Sequence, residues 1–471
     1  MNKAYLYLLG ILLLPISVLI AQESDLKIKY NELTYNKYVE KDWDGLISIA
    51  KESISLGEDF YYLRLRMGIA YAEKANYRLA IVNYQKAIEF VPADPIAQEY
   101  LYYAYLNAGM KNTASVFASK LPIALRKKIK PEKPSTFSNI YMETGLAFAN
   151  YKSNNIVLPN SSSIYFSETF LREWQSYFNS SLMFNIAKPL SMTLAYTGLA
   201  IQSSHQFQIA GEEAIQEDVP VKQRDFYTSF AYHTDDGLSI IPFFHNVNTS
   251  MTYTEVKYDT ALYATLEEGM DINFISSSLS LKWNDPVVGI GIYKKLGVMD
   301  YAASFSYSWL GTTEQQQLSG FLTYLPKGNY SLFFTPEVRL LRADKELRTI
   351  FKFSTGATLS PKMWSSAAFT YGDLQNSHEN FGGIVYNLQD KTKYKADASL
   401  HYGFSNGVSL SLRYQFTLKE SPITSNTLKT EANPDFDGNP ETSATITDWL
   451  KSTRYEEFSQ HFIIFGFNWA I

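Results

Sequence analysis

From Pro134 to Ile471 the hydrophobic period is two, and that property governs what the chain can become. In Val408 to Thr417, apolar Val408, Leu410, Leu412, Tyr414 and Phe416 alternate with Ser409, Ser411, Arg413, Gln415 and Thr417. The same alternation runs through Tyr394 to Tyr402 and Tyr301 to Trp309. Successive strand residues face opposite sides of a sheet, so each run has one bulky apolar face and one face of small polar groups. A soluble sandwich would need a second sheet to cover the aromatic face, whereas a closed barrel can turn it toward lipid and the polar face toward the lumen. Aromatics at 15% beside charged residues at 19%, with a mean hydropathy of -0.18, suit a wall in which only alternate residues meet lipid.

Runs of this kind begin near Thr136, Arg172, Leu190, Gln223, Leu238, Met270, Val287, Met299, Gln315, Asn329, Glu346, Lys362, His378, Lys391, Val408 and Tyr455. They predict an antiparallel transmembrane barrel of about sixteen strands over residues 136–471. Lys188-Pro189, Asp235-Asp236-Gly237 and Asn406-Gly407 are hairpin turns. Long connections near 153–168, 206–222, 254–268 and 420–452 all follow odd-numbered strands and therefore share one side. That side is extracellular if the N-terminal part is periplasmic. The last residues, Phe462 to Ile471, form an apolar aromatic strand that resembles the segment read by the barrel-insertion machinery of outer membranes, with Trp469 in place of a terminal aromatic.

The N-terminus has the order of a secretory signal peptide over residues 1–21: Lys3, an apolar run from Ala4 to Ile20, then Ala21 before polar Gln22. Residues 22–125 carry a helical pattern and are expected in the periplasm, and a basic, proline-punctuated linker follows over 126–135. Within the helices, Tyr61 to Asp94 places Gly68, Tyr71, Ala80, Tyr84, Ala87 and Pro92 at the small, aromatic and terminating positions of a repeat of about 34 residues. Small residues let two antiparallel helices approach, aromatics fill the space around the contact, and proline stops the second helix. This segment resembles the tetratricopeptide repeat. Leu101, Tyr105 and Ala114 keep the frame of a following unit, and Trp43, Leu46 and Ala50 that of a degenerate preceding one. The resemblance implies a surface that binds a periplasmic protein partner.

Chemical motifs are sparse. The chain has no cysteine, which removes disulfides, thiol nucleophiles and a lipid-anchored N-terminus. Its six histidines stand on separate segments without metal-ligand spacing, so no metal or cofactor is expected, and no residue qualifies as catalytic. Gly289 and Gly291 lie inside an alternating strand and read as strand glycines rather than a dinucleotide turn. Asn433, Asp435, Asp437 and Gly438 match the first half of a calcium loop, but Ala444 stands where the bidentate Glu belongs, and Glu441 would need another geometry. The net charge of -5 and acidic pI near 5.8 argue against nucleic acid.

Strand parity points Glu337, Arg339, Lys352, Lys393, Lys395, Asp397 and Arg413 into the lumen. The bases outnumber the acids, which favours anionic solutes unless the charges merely knit a filled barrel together. Helical repeats ahead of a barrel resemble the outer-membrane exporters of exopolysaccharides. Two readings stay open: an export pore with a periplasmic docking domain, or a non-conducting outer-membrane anchor whose helices bind a periplasmic or secretion-system partner.

Overall fold

The computed structural model describes residues 25–132, 134–151, 158, 164–209, 212–258, 274–344, 346–387, 389–404, 407–432 and 444–471. The leader over 1–21, the calcium half-motif at 433–441 and Asn406 of the last turn lie outside the described residues.

The chain begins with helices. After α1 (residues 25–40) come α2 (Trp43–Ser55), α3 (Tyr61–Glu73), α4 (Tyr77–Phe90), α5 (Pro95–Asn107), α6 (Lys111–Lys120) and α7 (Ile123–Ile129). Capping explains several starts. The side chains of Asp42, Asn76 and Asp94 accept from the backbone N–H groups of Gly45, Leu79 and Ala97, and Pro95 opens α5 with its φ already set. A left-handed residue joins each pair, at Lys41, Ala75 and Gly109, so the hairpins recur at a spacing of about 34 residues. Equivalent positions are equally buried: Leu46, Ala80 and Ala114 are enclosed, as are Ala50, Tyr84 and Ala118. A Cβ on Gly68 would lie 2.4 Å from Tyr84 Cε1, which is why that contact takes glycine. Pro92 disfavours helical geometry at Val91, and α4 ends at Phe90. The basic segment starts as helix, because α7 carries Arg126, Lys127 and Lys128 before the chain extends toward the sheet.

Fourteen strands then close an antiparallel barrel. They are β1 (Phe137–Tyr151), β2 (Ile164–Ala187), β3 (Leu190–Ile209), β4 (Ile215–His233), β5 (Leu238–Tyr258), β6 (Phe274–Leu296), β7 (Met299–Ser308), β8 (Gln315–Tyr324), β9 (Leu332–Ala343), β10 (Glu346–Ser360), β11 (Met363–Tyr371), β14 (Lys391–Gly403), β15 (Val408–Ala432) and β16 (Ala444–Ala470). Two short strands, β12 (Ser377–Glu379) and β13 (Ile384–Tyr386), form a separate sheet. Closure is by β1 on β16, with Asn139 opposite Ala470. The outward face is apolar: Val288, Ile290 and Ile292 of β6 are about half exposed, as are Leu410, Leu412 and Tyr414 of β15. The inward residues between them are Gly, Ser or charged, the arrangement of a barrel that crosses a membrane on its strands.

The expected sixteen strands are corrected to fourteen, for two reasons. The runs beginning near Met270 and Val287 are one strand. Asn284, Asp285 and Pro286 look like a turn, yet they pair with Asn248, Val247 and Asn246 of β5. Proline is accommodated because the ladder with β7 reaches only to Val287, and beyond it Pro286 is used as an acceptor, its carbonyl taking the Trp309 N–H at 3.1 Å. The run at His378 leaves the wall altogether as β12. Its three residues are too few to cross a bilayer, which takes about nine to eleven.

With the helix-bearing end as the near side, the facing ends of β1 and β2, β3 and β4, β5 and β6, and β15 and β16 lie on the far side, and strands claim much of what the sequence suggested as long loops. The wall is uneven in height. β2, β6, β15 and β16 have 24, 23, 25 and 27 residues, while β7, β8 and β11 have 10, 10 and 9. Beyond Glu420, β15 leaves β14 and pairs with β2, Ile423 opposite Thr169, so the upper part of the β15–β16 hairpin lies across the far mouth.

The helical domain is joined to the near rim by side chains as well as by the chain. Arg78 of α4 forms a buried ion pair with Asp300, which also accepts from the hydroxyls of Tyr293 (2.7 Å) and Tyr330. Lys120 meets Asp235 at 2.8 Å, and Asn112 Nδ2 lies 3.0 Å from His233 Nε2. These contacts fall on the β4–β5 and β6–β7 turns and the β8–β9 connection, one arc of the rim.

Candidate functional site: the lumen and its inner hairpin

Where the wall is shortest, the connection from β11 to β14 folds inward instead of outward. Residues 372–390 carry β12 and β13, paired Ser377 to Tyr386 and Glu379 to Ile384 around a tip of Asn380, Phe381, Gly382 and Gly383. The tip turns through three successive left-handed residues, with φ of 52°, 53° and 77° at Asn380, Phe381 and Gly382. That conformation costs a bulky residue such as Phe381 about 1–2 kcal/mol, so the surroundings must hold it.

Apolar contacts do part of that. Phe381 and Val385 pack against a small cluster of Phe243, Val247, Val287 and Leu310 on the inner wall. Gly289 and Gly291 make the room: a Cβ on Gly289 would lie 2.2 Å from Phe243 Cζ, and one on Gly291 2.3 Å from Phe381 Cδ1. These strand glycines are seats for aromatic rings.

Polar contacts do the rest. His378 Nε2 lies 2.5 Å from Ser306 Oγ, while its backbone N–H donates to Gln317 Oε1 (3.1 Å) and its carbonyl accepts from Gln317 Nε2 (2.9 Å). Gln317 Nε2 also lies 3.4 Å from His378 Nδ1. Burial pushes His378 down to about 3, with Arg339 adding to the effect. His245 Nδ1 donates to the Gly382 carbonyl at 2.7 Å, and the Tyr227 hydroxyl donates to the Phe381 carbonyl at 3.2 Å.

The centre of the latch is Glu379, 3% exposed. Its carboxylate accepts from Lys352 Nζ (2.6 Å), Arg339 Nη2 (3.0 Å), Lys395 Nζ (3.3 Å) and the Tyr386 hydroxyl (2.9 Å). Burial by itself would raise this carboxyl, but Lys395, Lys352 and Arg339 hold it well below the usual carboxylate range. Arg339 is also 3.1 Å from Glu337 through Nε, though without the alignment of a hydrogen bond.

The other half of the lumen is a cavity of about 500 Å³ between the hairpin and strands β1 to β5 and β14 to β16. Its wall is mixed: Gln175, Asn179, Thr197, Gln223 and Gln415 line it together with Leu199, Ile201, Ile384 and Phe462. Glu143 accepts there from the Tyr177 hydroxyl (2.5 Å), the Tyr141 hydroxyl and Arg413 Nη2 (3.0 Å).

Of the residues that strand parity assigned to the lumen, Lys352, Lys395, Asp397 and Arg413 line this cavity, and Glu337 and Arg339 stand at the Glu379 latch. Lys393 is separated from them. A register shift between Thr392 and Tyr394 breaks the alternation, and Lys393 meets Glu420 (2.7 Å) and Glu457 (2.8 Å) instead. In the helical domain Gly68, Tyr71, Ala80, Tyr84 and Ala87 are buried residues of α3 and α4, with Gly68 against Tyr84. Parity missed Glu379, Tyr386, Arg172 and Lys419. Extending the Val408–Thr417 alternation by one step would have reached Lys419. Among the described residues no group of His, Asp and Glu could hold a metal.

No family model matches the sequence, and no curated protein does either. Among solved structures, the chain is similar to a Pseudomonas aeruginosa FadL homologue, with 9% identity, 71% of this chain and 89% of that one covered, and a TM-score of 0.43. It is similar to the Pseudomonas putida toluene transporter TodX at 9% identity, with 71% and 90% covered and a TM-score of 0.42. It is also similar to the translocator domain of the autotransporter NalP from Neisseria meningitidis, at 7% identity, with 72% and 90% covered and a TM-score of 0.27. These identities and scores are low, and the reading of the lumen rests on its own side chains.

Proposed function

We propose that this chain is an outer-membrane channel for a polar solute, held shut by its own inner hairpin 372–390. The observation that carries the reading is the way the hairpin is held. It is seated through side chains rather than merged into the wall, by Glu379 on three cations and Phe381 on a glycine-cleared wall, and a cavity lined by charged and amide groups among apolar ones remains beside it. A structural filler would gain more from apolar packing, since buried ionic contacts add little net stability. A polymer such as an exopolysaccharide could pass only with the hairpin withdrawn, because about 500 Å³ holds a small molecule. The export reading therefore becomes one of a gated path. The helical domain is taken as a periplasmic tetratricopeptide stack, supported by the recurrence of Lys41, Ala75 and Gly109. Fixed to the near rim by Arg78 and Lys120, it would present a periplasmic partner directly at the mouth. Phe462 to Ile471, in the closing strand, would be the stretch read by the insertion machinery.

The second reading, an anchor without conduction, is favoured by the filled half of the lumen. Planar-bilayer recording separates the two. The full chain should show little steady conductance, and a variant with residues 375–388 replaced by a short Gly-Ser link should conduct steadily. A folded variant that stays silent would sink the channel and leave the anchor.

A further inference from the structure

We propose that the cavity holds a binding site for a small hydrophilic anion bearing a phosphate or carboxylate group, formed by Lys419 and Arg172. The inference names the solute class for the channel read above and rests on that reading.

Lys419 lies on β15, is 4% exposed and lines the cavity. It makes no hydrogen bond or ion pair with a described residue, and the fixed charges acting on it are Arg172 and Asp390. Leaving an ammonium buried and unpaired is costly, so the position makes physical sense when an anion shares the site. Its cross-strand neighbour Thr392 likewise has a buried hydroxyl without a partner. Arg172 of β2 is only partly used: Nη1 donates to Gln175 Oε1 at 3.1 Å, and Nε stands 3.4 Å from Asp390 Oδ2 without a hydrogen bond. Two cations against one carboxylate leave a positive charge uncompensated, beside hydroxyl and amide groups from Thr392, Thr417 and Gln460.

Among the described residues, the other cations at the latch and the cavity are already engaged. Arg339, Lys352 and Lys395 hold Glu379, and Arg413 holds Glu143. Lys419 and Arg172 are thus the pair with bonding capacity left for an oxyanion, which ammonium and guanidinium groups bind through charge-assisted hydrogen bonds. The cavity volume suits a sugar-sized solute, and its charged and amide side chains give such a solute hydrogen-bond partners.

Titration calorimetry on the full chain in detergent tests this, with glucose 6-phosphate as the probe and glucose as its neutral counterpart. Glucose 6-phosphate should bind and glucose should not. Lys419→Met should weaken binding by at least about tenfold, the loss expected for one charge-assisted contact, while Lys419→Arg retains most of it. A heat-dependent shift in electrophoretic mobility reports that each variant is folded. The site is overturned if folded wild type ignores glucose 6-phosphate, or if Lys419→Met binds it as well as wild type. Conductance of the hairpin-replaced barrel separates this from the channel reading. Conduction without anion binding refutes the site alone, and anion binding by a barrel that stays silent refutes the channel alone.

Discussion

Replacing Glu379 by Gln should unseat the inner hairpin while leaving the wall intact. The carboxylate is the shared acceptor for Lys352 at 2.6 Å, Arg339 at 3.0 Å and Lys395 at 3.3 Å, and all three cations are largely or fully buried. Glutamine keeps the volume and one acceptor but removes the charge, so among the described residues Glu337, which serves Arg339 alone, is the one carboxylate left to these cations, and Lys395 keeps the neutral Tyr386 hydroxyl. Removing one partner of a buried ionic cluster costs about 3–5 kcal/mol. The lower figure applies because Lys352 and Lys395 border the cavity and regain some hydration there. A loss of about 3 kcal/mol changes the ratio of seated to unseated hairpin by roughly a hundredfold.

The absence of cysteine makes the assay clean. A single Gly383→Cys at the hairpin tip, which lines the cavity, is reacted with a polyethylene-glycol maleimide too bulky for about 500 Å³. Labelling then reports the unseated state. The rate in Glu379→Gln should exceed that in the Glu379 background by roughly a hundredfold, and bilayer conductance should rise with it. Equal labelling rates in two folded proteins would refute the argument that this carboxylate is the latch.

Two further predictions follow from the same geometry. His378 is neutral when the hairpin is seated, held near 3, and titrates near its ordinary 6.5 when released. The unseated state therefore binds the extra proton, and seating weakens as the pH falls from 6.5 toward 3, by up to about 1.4 kcal/mol per unit. Glu379 acts lower: its carboxyl lies below its ordinary 4.5, so its contribution is full above that pH and is lost as the pH drops through the depressed value. Because maleimide reacts with the thiolate, the labelling rate at each pH is divided by that of a freely exposed thiol; the normalised rate should be flat above pH 6.5 and rise below it, and His378→Gln should abolish the rise, whereas a flat normalised profile in wild type would count against a buried neutral imidazole. At the near rim, Arg78→Ala leaves Asp300 buried with two tyrosine hydroxyls and should loosen the helical domain by about 3 kcal/mol. Trypsin cleavage after Arg126, Lys127 or Lys128 should then be faster than in wild type, and Arg78→Ala with Asp300→Asn should recover part of the loss. Unchanged cleavage would mean the rim contact does not hold the domain.

The parts that the sequence made legible share a cause, and so do the parts it hid. Alternation exposes the wall because each strand has one neighbour in lipid and one in the lumen, whatever lies elsewhere in the chain. The 34-residue helical frame is legible for the same reason, since Gly68 and Tyr84 meet within one unit. Strand count failed where a local signal was overridden from outside. Asn284-Asp285-Pro286 would be a turn in isolation, but the ladder with β5 carries β6 through it.

The latch was hidden for a deeper reason. Arg339, Lys352 and Lys395 can be placed inward by parity, yet their partner Glu379 comes from a segment whose own alternation is that of a wall strand. What diverts that segment inward is the vacancy at Gly289 and Gly291, some ninety residues earlier in the chain, together with a wall too short to continue it. A glycine inside a strand reports that something approaches the backbone, and says nothing of what. The charge pattern carries the complementary half of that information: inward cations that outnumber inward acids on the wall require an acid from elsewhere, and Glu379 answers it for three of them. Lys419 has no such answer within the described residues, which is the physical reason for assigning its partner to the solute.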